Sequence, residues 1–533
     1  MTHPPHVFVV QGDLTALACD AWLVPGGRGG PGLVWKKALE GKRRIRAPHE
    51  WGHEGVLRSR LYAEVLPDEP VPFLTNITGT NRAGPEWYVQ GAVDFVSVAV
   101  DHLRAKRPAP LHGRARHLLA LPLVGTGGGG GARYSGEVMR LLLPALQRAA
   151  QSSGQSGFPI DVALVLLEGP AWAAAQNERL VAGEPAWAAL PPSLSSIADS
   201  LALRARRGDL VLFLGAGVSK PAGLPSWTDL LKALAVDRLP DTEVRELQDL
   251  SELDRAALIE RRLRPGETLG EAVAQLFLRH SPRHALGHAL LADLPVDEIV
   301  TTNYDALFER ASAAVGRACK MIPGEPVARG ERFILKMHGS VTRPSSIVLT
   351  REDYLKFQEN RQALAGIVQA LLLTRHMLFV GFGFTDDNFH RIAHAVRTAL
   401  RGAQPLDEGE ARFVREPFGT NLVVGQGTLV RELWKDDFNW VALGDIAPSM
   451  KEQARLVEIF LDRLAAKSAT ATAHLGDDRY EAVMSEGERR LRDRLLLLAK
   501  EASAAERGTA AWVEVELLLQ RLGIGPARSP AED

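Results

Sequence analysis

The sequence predicts an α/β protein. It has an N-terminal three-layer α/β domain over residues 1–170, a linker at 171–194, a second, parallel-sheet domain over 195–445, and a helical region at 446–533. Three observations lead there. Apolar strand-like runs alternate with helical stretches in the first part and again in the second. In the second part each apolar run breaks off into glycine or polar residues, as strands of a parallel sheet do at the carboxyl ends where ligands sit. The size and balance of the chain allow it: 533 residues with 46% hydrophobic and 24% charged side chains suggest roughly two to four globular domains.

The same composition excludes several classes. Lys+Arg (63) almost balance Asp+Glu (64), so bulk charge gives no nucleic-acid scaffold and no direct nucleic-acid partner is expected. The two cysteines, Cys19 and Cys319, cannot build a disulfide framework or a four-thiolate zinc site, and no metal is expected. The N-terminus MTHPPHVFVVQGD lacks the features of a signal peptide, and no run of about 18 apolar residues offers a membrane span. A reducing cytoplasm is the expected compartment.

The elements follow in order. His6 to Val10 and Asp20 to Val24 read as strands, and Leu118 to Val124 is an apolar run ending in glycines. Gly136 to Ala150 has helical spacing, with Val138, Leu141, Leu142, Ala145 and Ala149 on one face. Pro144 inside it predicts a kink or restart. Asp161 to Leu167 (DVALVLL) is a buried-strand run. Residues 171–194 are Ala- and Pro-rich and read as a linker with room for a short helix. The second part opens with a helix and the strand Leu210–Leu214. A helical block at 228–294 follows, and then three runs, DEIVTTNYD, FILKMHGS and HMLFVGFGFTDDN. Beyond 446, LVEIFLDRLAAK and ERRLRDRLLLLAKEA have amphipathic helical periods. Their apolar faces need a partner, so a homo-oligomer is expected.

Strand Leu210–Leu214 runs into Gly215-Ala216-Gly217-Val218-Ser219. Small residues there let backbone approach a phosphate, but a GAG turn alone is equally a plain tight turn. The wider text is more specific: GAGVSKPAGLPSW, TTNYD, KMHGS and GFGFTDDN stand in that order. This set closely resembles the sirtuin-like, NAD-consuming domain of bacterial anti-phage defence proteins, over about 195–445. The resemblance implies a Rossmann-like parallel-sheet domain with NAD as substrate and Asn303 and His338 as the catalytic pair. It implies that Gly215, Ala216, Gly217 and Ser219 hold phosphates and ribose. Gly381 and Phe382, with Asp386 behind them, would form a second nucleotide loop, and Trp227 and Thr302 would join the NAD site.

The chemistry fits these residue types. Breaking the nicotinamide–ribose bond develops oxocarbenium character and releases a neutral pyridine, so no strong acid is needed. A rigid pocket, a polar group that orients water and a base near the ribose hydroxyls are what help. Asn303 can donate and accept, and His338 can act as base near neutral pH. A lone His is otherwise a structural residue bonded to backbone. Asp305 is either a carboxylate near the nicotinamide end or an N-cap for the helix that follows. The chain departs from deacetylating sirtuins in two places. Pro225-Ser226-Trp227 replaces a Pro-Asp-Phe-Arg run, and no CxxC supplies a zinc module, the block 228–294 standing in its place. Water then becomes the natural acceptor, which favours an NAD glycohydrolase. The alternatives are a protein deacylase, an ADP-ribosyltransferase or a non-catalytic nucleotide-sensing module.

GDLTALACDAWLVPGG followed by LPLVGTGGGGG resembles a macro domain, an ADP-ribose-binding module, over about 1–170. It implies that Asp13 and Leu14 meet the base, and that Gly125, Thr126, Gly127 and Gly128 cradle a diphosphate. Val24-Pro25-Gly26-Gly27 stands where hydrolytic macro domains carry an NAAN run, which favours binding over hydrolysis. Lys42, Arg43, Arg44 and Arg46 either meet an anion or form a solvated basic turn. The pairing looks like a Thoeris-type effector, in which a macro-like or SLOG-like sensor detects an ADP-ribose-like signal, such as a cyclic ADP-ribose isomer from a partner enzyme, and gates the NADase. Here the sensor comes first, the reverse of that effector's order.

Overall fold

The computed structural model describes residues 4–524 apart from 28–29, 48–50, 52–56, 79–83, 128–129, 281–282, 402–416, 426–427 and 470–471. It divides into two compact units, one of Met1–Ser196 with Ile459–Asp533, the other of Ile197–Glu458. Both are α/β, the class the sequence predicts.

In the first unit the sheet order is Val7–Gln11, Ile160–Leu166, His117–Leu121, Ala21–Gly27, Val71–Asn76 and Ser59–Leu61, with the two-residue strand Gly30–Pro31 on Ala21–Gly27. The first five run parallel and Ser59–Leu61 is antiparallel. All seven residues of Ile160–Leu166 are buried, as expected of a central strand covered on both faces. Helices Pro85–Lys106, Ser135–Gln155 and Gly169–Ala182 supply Phe95, Leu142 and Trp172 to the core. Ser135–Gln155 is one unbroken helix through Pro144. The proline is exposed, as is Arg140, whose carbonyl loses its helical donor there and can meet solvent.

Two expectations are corrected. Residues 171–194 are no loose linker. Most of the segment lies in helix Gly169–Ala182, where Ala171 to Gln176 are all buried, and in the turn Glu184–Trp187, where Trp187 is 1% exposed. Nor is the chain beyond 446 a separate tail, because Ile459–Asp533 belongs to the first unit. Asp462, on helix Met450–Ser468, shows the reason. Its fully buried carboxylate lies 2.7 Å from His6 Nε2, accepts from Arg179 Nη1 at 2.9 Å and from Trp187 Nε1 at 3.1 Å, and pairs with Arg179 Nη2. Alanine-rich helical spacing read as linker because its buried ionic partner lies 283 positions away.

The second unit holds a seven-stranded, all-parallel sheet ordered Lys320–Ile322, Phe333–Lys336, Glu298–Thr301, Leu210–Leu214, His376–Val380, Gly419–Val423 and Phe438–Ala442. Chain order reverses at Leu210–Leu214, its neighbours following on opposite sides. Such a switch point opens a ligand crevice outside the carboxyl ends. The block 228–294 forms helices Trp227–Val236, Asp241–Glu246, Glu252–Arg261, Leu269–His280 and Leu286–Asp293. They share a core that includes Leu231, Leu234, Ile259 and Val273.

Candidate functional site

Register brings the four motifs of the second unit together. Leu214 pairs with both Thr301 and Val380, and Thr301 pairs with Lys336. Gly215, Asn303, His338 and Gly381 therefore all leave their strands within two residues of one level, beside the switch point.

The two glycine loops are packed backbone to backbone. Gly215 N–H donates to the Val380 carbonyl and Gly217 N–H to the Gly381 carbonyl, each at 3.0 Å. A Cβ on Gly215 would stand 2.4 Å from Gly381 O, and one on Gly217 2.7 Å from Gly381 Cα. Gly381 has φ +67° and a Cβ there would meet Val218 N at 2.5 Å. These glycines are demanded by the approach of one loop to the other. Ala216 and Gly217 are nevertheless exposed. Thr302 N–H is tied to Leu214 O at 3.3 Å. Phe384 holds the second loop down: its ring is buried among Phe379, Phe389 and Trp434. Its φ of 55° lies in the left-handed region that a bulky side chain rarely adopts. The Phe382 ring lies tilted against Phe213, with centroids 4.6 Å apart, and so braces the loop.

Asn303 is fixed by both amide protons. Nδ2 donates to the Gly215 carbonyl at 3.1 Å and to Ser219 Oγ at 3.2 Å. With a carbonyl facing Nδ2, the amide cannot be flipped. Its Oδ1 is buried and has no hydrogen-bond partner among the described residues. The unused hydrogen-bonding atom of the side chain is thus an acceptor.

Ser219 and Asp305 are bonded to each other beside Asn303. Ser219 is 3% exposed and donates to Asp305 Oδ2 at 2.8 Å. Asp305 Oδ1 accepts the Leu307 N–H at 2.9 Å, the cap-like bond that was one of its two readings. The Asp305 carboxylate and the Ser219 hydroxyl thus both bond within the protein, and Ser219 links Asp305 to Asn303.

His338 is 1% exposed. Neither ring nitrogen makes an aligned hydrogen bond among the described residues, although Nε2 lies 3.3 Å from Asp386 Oδ2. Burial lowers its proton affinity and Arg361 adds to that, while the Asp386 charge opposes both. At neutral pH the imidazole is therefore a base. Asp386 also serves protein: Oδ2 accepts from Tyr354 OH at 2.9 Å and Oδ1 from Phe389 N–H at 2.8 Å. Trp227 sits 6.3 Å from the Tyr354 ring. Tyr354 was missed by sequence reasoning, for it stands 32 residues from Asp386 in a helix with no motif of its own.

In the first unit a cavity of about 1440 Å³ is lined by Asp13, Leu14, Gly125, Thr126, Gly127 and Arg133, among others. Gly128 lies outside the described residues. Asp13 Oδ1 accepts from Thr15 N–H and Oγ1, each at 2.8 Å, shaping the turn that rims the cavity. The glycine loop closes on itself, Gly131 N–H to Gly125 O at 3.0 Å. It rests on Tyr88, whose ring a Cβ on Gly125 would strike at 2.1 Å. Tyr88 carried no sequence signal. Two residues of the basic turn meet carboxylates, Lys42 with Glu69 at 2.6 Å and Arg43 with Glu64 at 3.4 Å.

Among the described residues, no cluster of three or more His, Cys, Asp or Glu could hold a metal ion, and no helix is long and apolar enough to cross a membrane.

Residues 297–414 match the SIR2-like domain family, so the chain carries a SIR2-like domain. It is similar to the NAD(+) hydrolase ThsA of Enterococcus faecium, 30% identical over 209 residues, covering 37% of this chain and 42% of that protein. The ThsA of Bacillus cereus (strain MSX-D12) is 32% identical over 199 residues, 36% of this chain and 41% of that protein. Defense-associated sirtuin 2 of Bacillus subtilis is 26% identical over 198 residues, covering 36% and 20%. The match spans less than half the length of each of these curated relatives.

Proposed function

We propose that this chain, through its SIR2-like domain, hydrolyses NAD to nicotinamide and ADP-ribose. The observation that carries the reading is the Asn303 amide, anchored twice through Nδ2 and presenting a bare acceptor oxygen at the switch point. In this reading the N-glycosidic bond breaks with its electron pair passing to the pyridine nitrogen, which leaves as neutral nicotinamide. Asn303 Oδ1 accepts a hydrogen bond from the water whose oxygen bonds to the anomeric carbon as the pyridine leaves, giving ADP-ribose. His338, neutral in its buried setting, takes the proton released. Backbone of the exposed Ala216–Gly217 turn meets phosphate. The names of the similar proteins, NAD(+) hydrolase and Defense-associated sirtuin, support the chemistry and a role in defence, which in this reading is anti-phage defence by NAD depletion.

Unchecked NAD hydrolysis would exhaust the cell that makes the enzyme, so a gate belongs to the reading. The first unit is its sensor: the cavity at Asp13, Leu14, Gly125, Thr126 and Gly127 takes an ADP-ribose-like signal. A trigger must bind the active state more tightly, by about 1–3 kcal/mol for a typical allosteric coupling. The test is incubation of the full chain with NAD, with and without ADP-ribose and its cyclic isomers, followed by chromatography. Nicotinamide and ADP-ribose in equal amounts are expected, with faster release when a signal is present. NAD left intact under every condition would overturn the reading. Equal rates with and without each signal would overturn the gate.

A further inference from the structure

We infer that His288 is a positioning residue for Asn303, acting through the hydroxyl of Ser219. The inference rests on the hydrolase reading for its consequence in turnover, but not for its geometry. His288 lies on helix Leu286–Asp293 in the helical block, 1% exposed, and belongs to none of the four motifs. Its Nδ1 faces the backbone N–H of Ala285 at 3.1 Å. Only an unprotonated nitrogen can accept that bond, so the ring proton sits on Nε2. Nε2 lies 3.2 Å from Ser219 Oγ.

The direction of every bond around Ser219 then follows. The hydroxyl has one proton and two lone pairs. Its proton goes to Asp305 Oδ2 at 2.8 Å, and one lone pair receives Asn303 Nδ2 at 3.2 Å. The remaining lone pair receives His288 Nε2–H. All three positions are used, so the hydroxyl cannot rotate without breaking a buried bond. Asn303 Nδ2 in turn has no freedom to leave Ser219. The His288 imidazole is what completes the set, and the outcome is an Asn303 oxygen held toward the substrate. Burial brings the His288 proton affinity down to about 4, against the opposing charge of Asp305, so the ring stays in the neutral form that this arrangement requires.

The test uses the full chain and NAD. His288→Ala is expected to lower kcat by about 10–100-fold, the scale on which partners supporting a reacting group act, while KM moves by less than about threefold because the loss is confined to the transition state. His288→Gln, which can return an N–H donor to Ser219, is expected to restore most of the rate. Ser219→Ala removes the same link without changing the charge and serves where His288→Ala fails to fold. In an Asn303→Ala background His288→Ala is expected to cost nothing more, since residues acting as one unit are not additive. A second readout is independent of turnover. With the asparagine side-chain nitrogens labelled, the Asn303 amide protons are expected to exchange with solvent at least about tenfold faster in His288→Ala than in the parent, as a locally opened hydrogen bond does. If the parent cleaves no NAD while that exchange responds, the hydrolase reading falls and the positioning stands. Unchanged exchange, or losses that multiply with Asn303→Ala, would overturn the inference.

Discussion

The side chain of Asn303 can be asked a question that truncation alone cannot. Asn303→Ala removes the acceptor, and a loss of about 10²–10³-fold in turnover is expected for one group of this kind. Asn303→Asp keeps an acceptor oxygen of the same shape. It also puts a second, acidic oxygen where Nδ2 now meets Gly215 O at 3.1 Å and Ser219 Oγ at 3.2 Å. Ser219 already gives its proton to Asp305, so the new oxygen would face acceptors alone. Asn303→Asp is expected to be no more active than Asn303→Ala, as measured by nicotinamide release; recovery above a tenth of parental rate would contradict the geometry. His338→Ala is expected to cost about 10²–10⁴-fold, the range for loss of a general base. Burial sets the His338 proton affinity below the ordinary histidine value, so the neutral base is fully present above about pH 6.5 and is lost only as pH falls further. The kcat/KM profile should be flat from neutral to mildly acidic pH, and a fall beginning above pH 7 would point to another base. Asn303 and His338 were legible through the motifs TTNYD and KMHGS, whose likeness to the sirtuin-like set singled them out, and the structure puts each two residues beyond its strand. The supporting roles of Ser219 and Asp305 were not, because their bond joins positions 86 apart in the sequence.

At the level of elements, the two glycines of the Gly381–Gly383 loop look alike in sequence but not in the structure. Gly381 adopts φ +67° and a Cβ on it would stand 2.5 Å from the Val218 nitrogen. Gly383 is exposed, and the nearest atom to a Cβ there is Thr385 Oγ1 at 3.9 Å. Gly381→Ala is expected to destabilise by about 1–3 kcal/mol or more and to separate the two loops. Gly383→Ala is expected to stay within about 0.5 kcal/mol of the parent. Denaturant unfolding of both variants decides it, and equal stability would mean that the loop contact is soft. The strands that carry these loops were readable as apolar runs ending in glycine or polar residues. Val71–Asn76 was not, since Pro72 sits inside it, where proline usually argues against a strand. Yet the chain still pairs there, and the Pro72 carbonyl accepts from Tyr62 N–H at 3.0 Å. Phe438–Ala442, at the edge of the second sheet, buries only Phe438 and Val441, with no two-residue alternation to mark it as a strand.

On the scale of whole units, buried ionisable groups decide how the fold responds to acid. In the first unit Asp462 is the node. Burial raises its proton affinity, but the Arg179 charge and the His6 bond outweigh that and hold the carboxyl at about 2. Asp462→Asn would leave Arg179, itself buried, without a counter-charge. Breaking a buried pair in this way costs about 3–5 kcal/mol, so the variant is expected to unfold well before the parent in denaturant. Since the carboxyl stays ionised far below its ordinary value, the stability it contributes persists through mild acid and is lost only as pH falls from about 4 toward 2. The buried histidines respond sooner. Burial holds His284 at about 3 and His288 at about 4, both below the roughly 6.5 of an unfolded chain. The sign follows from proton counting. Between those folded values and 6.5 the unfolded chain binds protons that the native second unit refuses, so stability is full above pH 6.5 and drains as pH drops. Each group costs about 1.4 kcal/mol per pH unit in that window. The two together would remove about 5 kcal/mol from the second unit between pH 6.5 and 4.5. Unfolding free energies of the parent and of His284→Gln, taken from calorimetry at steps across that range, should differ in slope by about one proton's worth. Identical slopes would mean that His284 is not held neutral in the fold.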